Sequence, residues 1–191
     1  MDERTDRILQ VAMELAEHDG YEAVRLRDVA AKAEVALGTV YRRFSCKEDL
    51  LAAALNLQVS AFEQAIRLRP IPGDTPRDRL TTLFSLATGA LAERPKLASA
   101  MLRTVSSGVP DLAHRVTQYH GTMTGIILAV YRGEDIDAEG ATDTERLLAT
   151  MLQNIWFAAL VGWTGGLHDT ATVVEQVTAG MDLLIRGLEN A

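Results

Sequence analysis

Apolar side chains recur at three- and four-residue intervals along most of this chain, the spacing that lays one stripe down a helix. Ile8, Val11, Ala12, Leu15 and Ala16 predict an amphipathic helix over 3–18, and Asp19-Gly20 stops it. Two short helical stretches follow, 26–33 and 37–44, with only Glu34-Val35-Ala36 between them. Two short helices on so tight a turn predict a helix-turn-helix. Leu50, Leu51, Ala54, Leu55, Val59 and Phe62 carry a long fourth helix from Lys47 to about residue 69, which Pro70-Ile71-Pro72-Gly73 breaks. Thr75-Pro76 then supplies a cap and a proline at the first helical position. Further helices are predicted near 76–92, 95–106, 111–132, 143–164 and 171–189, and the acidic stretch Gly133–Asp143 reads as a surface loop. No segment alternates with period two between turn signals, so the expected fold is all-α with about nine helices. The natural division is a helix-turn-helix domain over 1–46 and a helical domain over 47–191.

The helix over 143–164 is apolar nearly all round, with Leu147, Leu148, Met151, Leu152, Ile155, Trp156, Phe157, Leu160, Val161 and Trp163. Such a helix must be covered on every side. Ile155 and the small residues Ala158, Ala159 and Gly162 would let a partner approach, and Val174, Val177, Met181 and Leu184 stripe the last helix. Pairing both helices with their symmetry mates predicts a four-helix, isologous dimer interface; the plainer reading is that both cover one monomer's core. Phe84, Met101, Tyr119, Met123 and Trp156 are candidates to line an apolar effector cavity, although such residues are more often plain core.

Composition narrows the function. The 191 residues carry a net charge of −7, which argues against adhesion to nucleic acid or anionic lipid through the whole surface. Between 25 and 47, however, Arg25, Arg27, Lys32, Arg42, Arg43 and Lys47 face only Asp28 and Glu34. An acidic body with one small cationic patch binds a polyanion in one orientation. The longest apolar run, Ile155–Trp163, is far short of the ~20 residues of a spanning helix. No secretory pattern opens the chain, and Cys46 has no second cysteine to pair with, so the expectation is a cytoplasmic protein with no membrane contact. Metal and cofactor chemistry are not expected. Asp135, Asp137, Glu139 and Gly140 begin like a calcium loop, but Arg146 stands where that loop requires a glutamate.

On the second short helix, Val40 and Phe44 share the inward face, while Leu37, Gly38, Tyr41 and Arg42 lie on neighbouring outward ones. Gly38 would permit close backbone approach in a major groove, Leu37 would touch a thymine methyl, and Arg42 has the fork that fits guanine O6 and N7. Thr39, Tyr41 and Lys47 carry donors suited to phosphates, which fix register without reading sequence. Arg25, Arg27 and Arg43 complete the candidate DNA-binding set. The plain alternative is a charged solvent face on a capping helix.

These residues carry a resemblance. Arg7 to Leu51, through Ile8-Leu9, Ala12, Leu15, Gly20-Tyr21, Asp28-Val29-Ala30, Ala33, Val35, Gly38-Thr39, Tyr41, Phe44, Lys47 and Leu50-Leu51, resembles the DNA-binding domain of the tetracycline-repressor (TetR) family. The resemblance implies that Leu37, Gly38 and Arg42 meet bases and that Thr39, Tyr41 and Lys47 hold the backbone. It also implies a homodimer on double-stranded operator DNA and a C-terminal domain that senses a small molecule. The runs Val24–Ala30 and Val35–Arg42 resemble the KstR-like repressors of sterol catabolism. That grouping implies an acyl-CoA or a sterol-derived acid as effector, with Arg103 or Arg115 on its anionic part. Departures are Glu34 at a usual turn glycine, Ala36 at a usual hydroxyl cap, Arg25 at a usual Thr or Ser, and Arg43 at a usual aromatic. The expected function is a ligand-responsive regulator, most simply a repressor, and no enzyme. An all-α enzyme, or an interaction module that binds no operator, is the alternative.

Overall fold

The structure, a computed structural model, describes residues 2–133 and 140–189. The acidic 134–139 stretch, with the discarded calcium pattern, lies outside the described residues. All regular structure among those described is helical: α1 (Glu3–Asp19), α2 (Leu26–Lys32), α3 (Leu37–Tyr41), α4 (Lys47–Leu68), α5 (Pro76–Ala92), α6 (Pro95–Val105), α7 (Ala113–Arg132), α8 (Asp143–Thr164) and α9 (Thr170–Glu189), with 3-10 turns at Tyr21–Ala23 and Pro110–Leu112. The predicted nine helices are all present.

Their ends are set by local chemistry. Asp2 caps α1, its Oδ1 accepting from the Thr5 amide at 2.7 Å. Thr75 and Asp78 close a reciprocal capping box ahead of Pro76, and Thr142 with Glu145 does the same for α8. Arg25 and Ala36 open α2 and α3 with no side-chain cap. α3 stops at Tyr41, short of the 44 expected, because Arg42 and Arg43 close it in tight turns.

Two compact units emerge. The first comprises residues 1–59 and 94–119, the second 60–93 and 120–191. α6 therefore belongs to the same compact unit as the helix-turn-helix. Its Leu97, Ala100 and Met101 share one core with Ile8, Leu9 and Leu15 of α1, Val29 of α2, Val40 and Phe44 around α3, and Leu50 and Leu51 of α4. Burying each of these side chains larger than alanine stabilises by about 1.5–3 kcal/mol. This rigid core fixes the angle at which α3 stands on the surface. Arg94 to Glu17 and Lys96 Nζ to the His18 carbonyl at 2.7 Å fasten the start of α6 to the end of α1.

In the second unit α9 packs against both α8 and α5. Leu80, Leu83 and Phe84, Ile126 and Ile127, Leu148, Leu152, Trp156 and Leu160, and Val173, Val177 and Met181 are all buried. Ile155 lies over Gly180, where a Cβ would come within 2.6 Å of its Cδ1. Gly162 makes room for the His168 ring, whose Nε2 is 2.9 Å from the Ala159 carbonyl. By length and composition alone the 22-residue α8 is apolar enough to cross a bilayer, although its longest uninterrupted apolar run is short. Its Leu148, Leu152, Trp156 and Leu160 stripe is nevertheless buried within this chain.

Candidate nucleic-acid interface

α2 ends where Glu34 takes φ +54°, while the Ala33 amide donates to Val29 O at 2.8 Å and the Val35 amide to Ala30 O at 3.0 Å. That left-handed corner is what turns the chain sharply enough to start α3 three residues later. Glycine would adopt it freely; Glu34 bears the steric cost and reaches Arg7 across the surface at 2.6 Å.

Val40 and Phe44 point inward as expected, at 0% and 3% exposure. Leu37 and Tyr41 are left outside, at 40% and 57%, together with Gly38 and Arg42. Nothing lies within 4 Å of a Cβ built on Gly38, so the surface there is open to a close approach. Arg42 Nη2 donates to Thr39 Oγ1 at 3.1 Å, which steadies a guanidinium that is otherwise in solvent. Thr39 itself is buried.

Beside α3, Arg25, Arg27, Tyr41 and Lys47, with Glu22, Val24 and Leu26, line a groove of about 380 Å³. Lys47 begins α4 and stands with its Nζ 3.8 Å from the centre of the Tyr21 ring and 3.3 Å from Glu22 Oε2. Arg103 of α6 lies on the same ring at 4.1 Å and meets Glu22 Oε1 at 3.0 Å. The Tyr21 hydroxyl donates to Glu48. Burial, then the Glu48 carboxylate beside it, pushes the phenol up to about 12, so it stays a donor at neutral pH.

Arg43 is engaged within the protein. Its Nε donates to Thr5 Oγ1 at 2.7 Å and its guanidinium pairs with Asp2, so it ties α3 to the start of α1. Hydrogen bonds from Thr5, followed by Arg43, hold the Asp2 carboxyl down to about 2. Arg115 pairs with Asp49, which also accepts from the Ser45 amide at 2.9 Å and so locks the first turn of α4. Both arginines expected to meet an anionic effector, Arg103 and Arg115, are thus engaged with carboxylates inside the first unit. Tyr21 and Glu22 were not singled out for any role by sequence reasoning. The available signals were the resemblance, which includes Tyr21 without a role, and an aromatic-acidic pair at the edge of the cationic stretch.

The effector candidates divide. In the second unit, Phe84 and Trp156 meet with ring centres 5.6 Å apart, Trp156 Nε1 donates to Thr88 Oγ1 at 2.9 Å, and Met123 is buried. Gln153, also buried, bonds His120 at 2.8 Å and Thr124 at 3.3 Å. In the first unit Met101 is plain core and Tyr119 is buried. Of the expected dimer residues, Ala159, Gly162, Val177 and Met181 are buried within the chain's own second unit and so cannot be presented to another copy. Ile155, Val174 and Leu184 are half-buried and Ala158 is exposed.

The first unit thus presents a short helix with an open outer face beside a cationic groove, on a helix-turn-helix frame. A model described as "Bacterial regulatory proteins, tetR family" matches residues 8–54, and one described as "Tetracyclin repressor-like, C-terminal domain" matches 73–184. The chain belongs to the TetR family. Within the family it is KstR-like: it is 30% identical over 190 residues to the HTH-type transcriptional repressor KstR of Mycobacterium tuberculosis, covering 99% of this chain and 84% of that one. A TetR transcriptional regulator from Rhodococcus sp. RHA1 superposes with a TM-score of 0.84 at 25% identity, covering 97% of this chain and 96% of the other. The fold is shared with Thermus thermophilus FadR, a TetR family repressor solved with lauroyl-CoA, at TM-score 0.73 and 20% identity over 96% and 94% of the two chains. This TetR protein is accordingly a DNA-binding transcriptional repressor, a regulator and no enzyme.

Proposed function

We propose that the chain acts as a cytoplasmic homodimer that represses transcription from a roughly palindromic operator and is released by an acyl-CoA-like or sterol-derived acid effector. The observation that carries the DNA half is the open outer face of α3, with Leu37, Gly38, Tyr41 and Arg42 exposed and the Arg25, Arg27 and Lys47 groove beside it. Arg42 donates to guanine, Leu37 and Gly38 lie against base edges, and Arg25, Arg27, Thr39, Tyr41 and Lys47 hold phosphates. Arg43 serves the frame. Dimerisation is supported by an apolar stripe that α8 leaves in solvent, Leu147, Met151, Ala158 and Val161, together with Leu183 of α9. A two-fold pair would set its α3 helices about 34–36 Å apart, or a multiple of that, for successive major grooves.

The effector class is supported by the lauroyl-CoA of the FadR neighbour and by the KstR relatives. Phe84, Met123 and Trp156 offer an apolar lining, while Arg103 and Arg115 are already paired. Release requires only that the effector favour a dimer with misplaced α3 helices; a 10- to 100-fold differential is worth about 1.4–2.7 kcal/mol.

Gel shifts with the DNA upstream of the chain's own gene test this. The expected result is salt-sensitive, sequence-specific retardation that a long-chain acyl-CoA reverses. Retardation equal to that of unrelated DNA at every salt concentration would contradict operator binding, and indifference to acyl-CoA and sterol-derived acids alike would contradict the effector class.

A further inference from the structure

Glu22 is placed to satisfy two cations at once. One carboxylate oxygen meets Lys47 Nζ at 3.3 Å, the other meets Arg103 Nη1 at 3.0 Å, and both cations lie on the Tyr21 ring. No packing holds the carboxylate there, since its side chain is 74% exposed. Lys47 also lines the groove with Arg25, Arg27 and Tyr41. A carboxylate and a phosphodiester present the same thing to an ammonium: paired anionic oxygens at hydrogen-bonding distance. Brought side by side at Lys47, the two anions would repel one another, so the second arrives most easily if the first leaves.

We propose that Glu22 is a built-in competitor for the DNA backbone: its carboxylate occupies Lys47 in the free protein, and a phosphate displaces it on binding. Arg103 is the positioning residue. It gives Glu22 a second partner, so the carboxylate that leaves Lys47 swings fully onto the guanidinium instead of standing unpaired beside a phosphate. An arginine on α6, outside the helix-turn-helix, thereby sets how readily an operator-facing lysine is released. The inference rests on the reading of the groove as a backbone-binding surface.

Fluorescence anisotropy of the full-length protein on a short labelled duplex of unrelated sequence tests it, because phosphate contacts are sequence-independent. Glu22→Gln is expected to tighten binding about two- to fivefold, the range of an exposed ion pair. In a Lys47→Ala background the same change is expected to give markedly less, whereas simple through-space repulsion between Glu22 and DNA would survive the loss of the lysine. Arg103→Gln is expected to weaken binding by a similar factor in the wild type and far less beside Glu22→Gln. Wild-type protein that does not bind the duplex at low salt removes the groove reading and this inference together. Wild-type binding with no gain from Glu22→Gln, an equal gain with and without Lys47, or an equal loss from Arg103→Gln in both backgrounds overturns the inference alone.

Discussion

Two residues in the helix-turn-helix separate folding from recognition. Glu34 occupies a left-handed corner at φ +54° that costs about 1–2 kcal/mol for a residue with a Cβ. Glu34→Gly loses an exposed pair with Arg7 and some chain entropy, leaving a net gain of a few tenths to about 1 kcal/mol. Thermal or urea melts should show that gain with no loss of DNA affinity; an unchanged or lower midpoint would mean that the corner carries no strain. Gly38 behaves oppositely. An added methyl meets nothing within 4 Å, and alanine is favoured over glycine in a helix by about 1 kcal/mol. Gly38→Ala should therefore hold or raise the melting midpoint while weakening operator binding, measured by anisotropy. Equal binding by both proteins would remove Gly38 from the contact surface. The sequence made these positions legible because each concerns its own backbone or an adjacent residue. The roles of Arg43, Arg103 and Arg115 were not legible, because nothing local tells an arginine which of many distant carboxylates it will meet. Charge clustering suggested DNA for Arg43; the folded chain gives it to Asp2 and Thr5.

At the scale of elements, boundaries followed from caps and breakers. Thr75-Pro76 marks α5 because a cap and a first-turn proline are written in adjacent residues, and in the fold Asp78 completes a capping box with Thr75. The same box on α8 carries a pH dependence. The Arg132 guanidinium, 2.9 and 2.7 Å from the two Glu145 oxygens, and the capped Thr142 amide hold the Glu145 carboxyl down to about 2 from an ordinary 4.5. Since the folded-state value lies below the unfolded one, the stability it adds is complete above about pH 4.5 and is lost as the pH falls towards 2. Glu145→Gln should lower the melting midpoint near neutrality and flatten the part of the stability curve between those limits. A variant whose curve parallels the wild type through that window would contradict the assignment. Which face of α8 meets which neighbour was the part that periodicity could not supply. An all-apolar helix has no polar side to mark its exposure, so small size alone points to Ala159 and Gly162 as a partner surface; the fold uses both internally, as it does Val177 and Met181 of the α9 stripe.

For the molecule as a whole, the proposed function depends on presenting the cationic edge twice. The stripe Leu147, Met151, Ala158 and Val161 is the surface on which the two-fold pairing is proposed, and a charge at its middle should oppose association through a desolvated face. Met151→Glu is expected to convert a dimer to a monomer in light scattering and to cost far more affinity for a palindrome than for a single half-site. A variant that remains dimeric would move the interface elsewhere. The all-α architecture and the helix-turn-helix were legible from spacing alone. The membership of α6 in the first unit was not, because a contact between α1 and α6 joins segments separated by the whole of α4 and α5.

The central claim is that α3 reads base edges with Arg42. Binding of wild-type and Arg42→Ala protein to a panel of single-base operator variants tests it most directly. The wild type should lose about 1–3 kcal/mol when one G·C pair is changed, and Arg42→Ala should be indifferent at that pair alone while keeping the remaining preferences. Identical preferences across the panel for both proteins would contradict the claim.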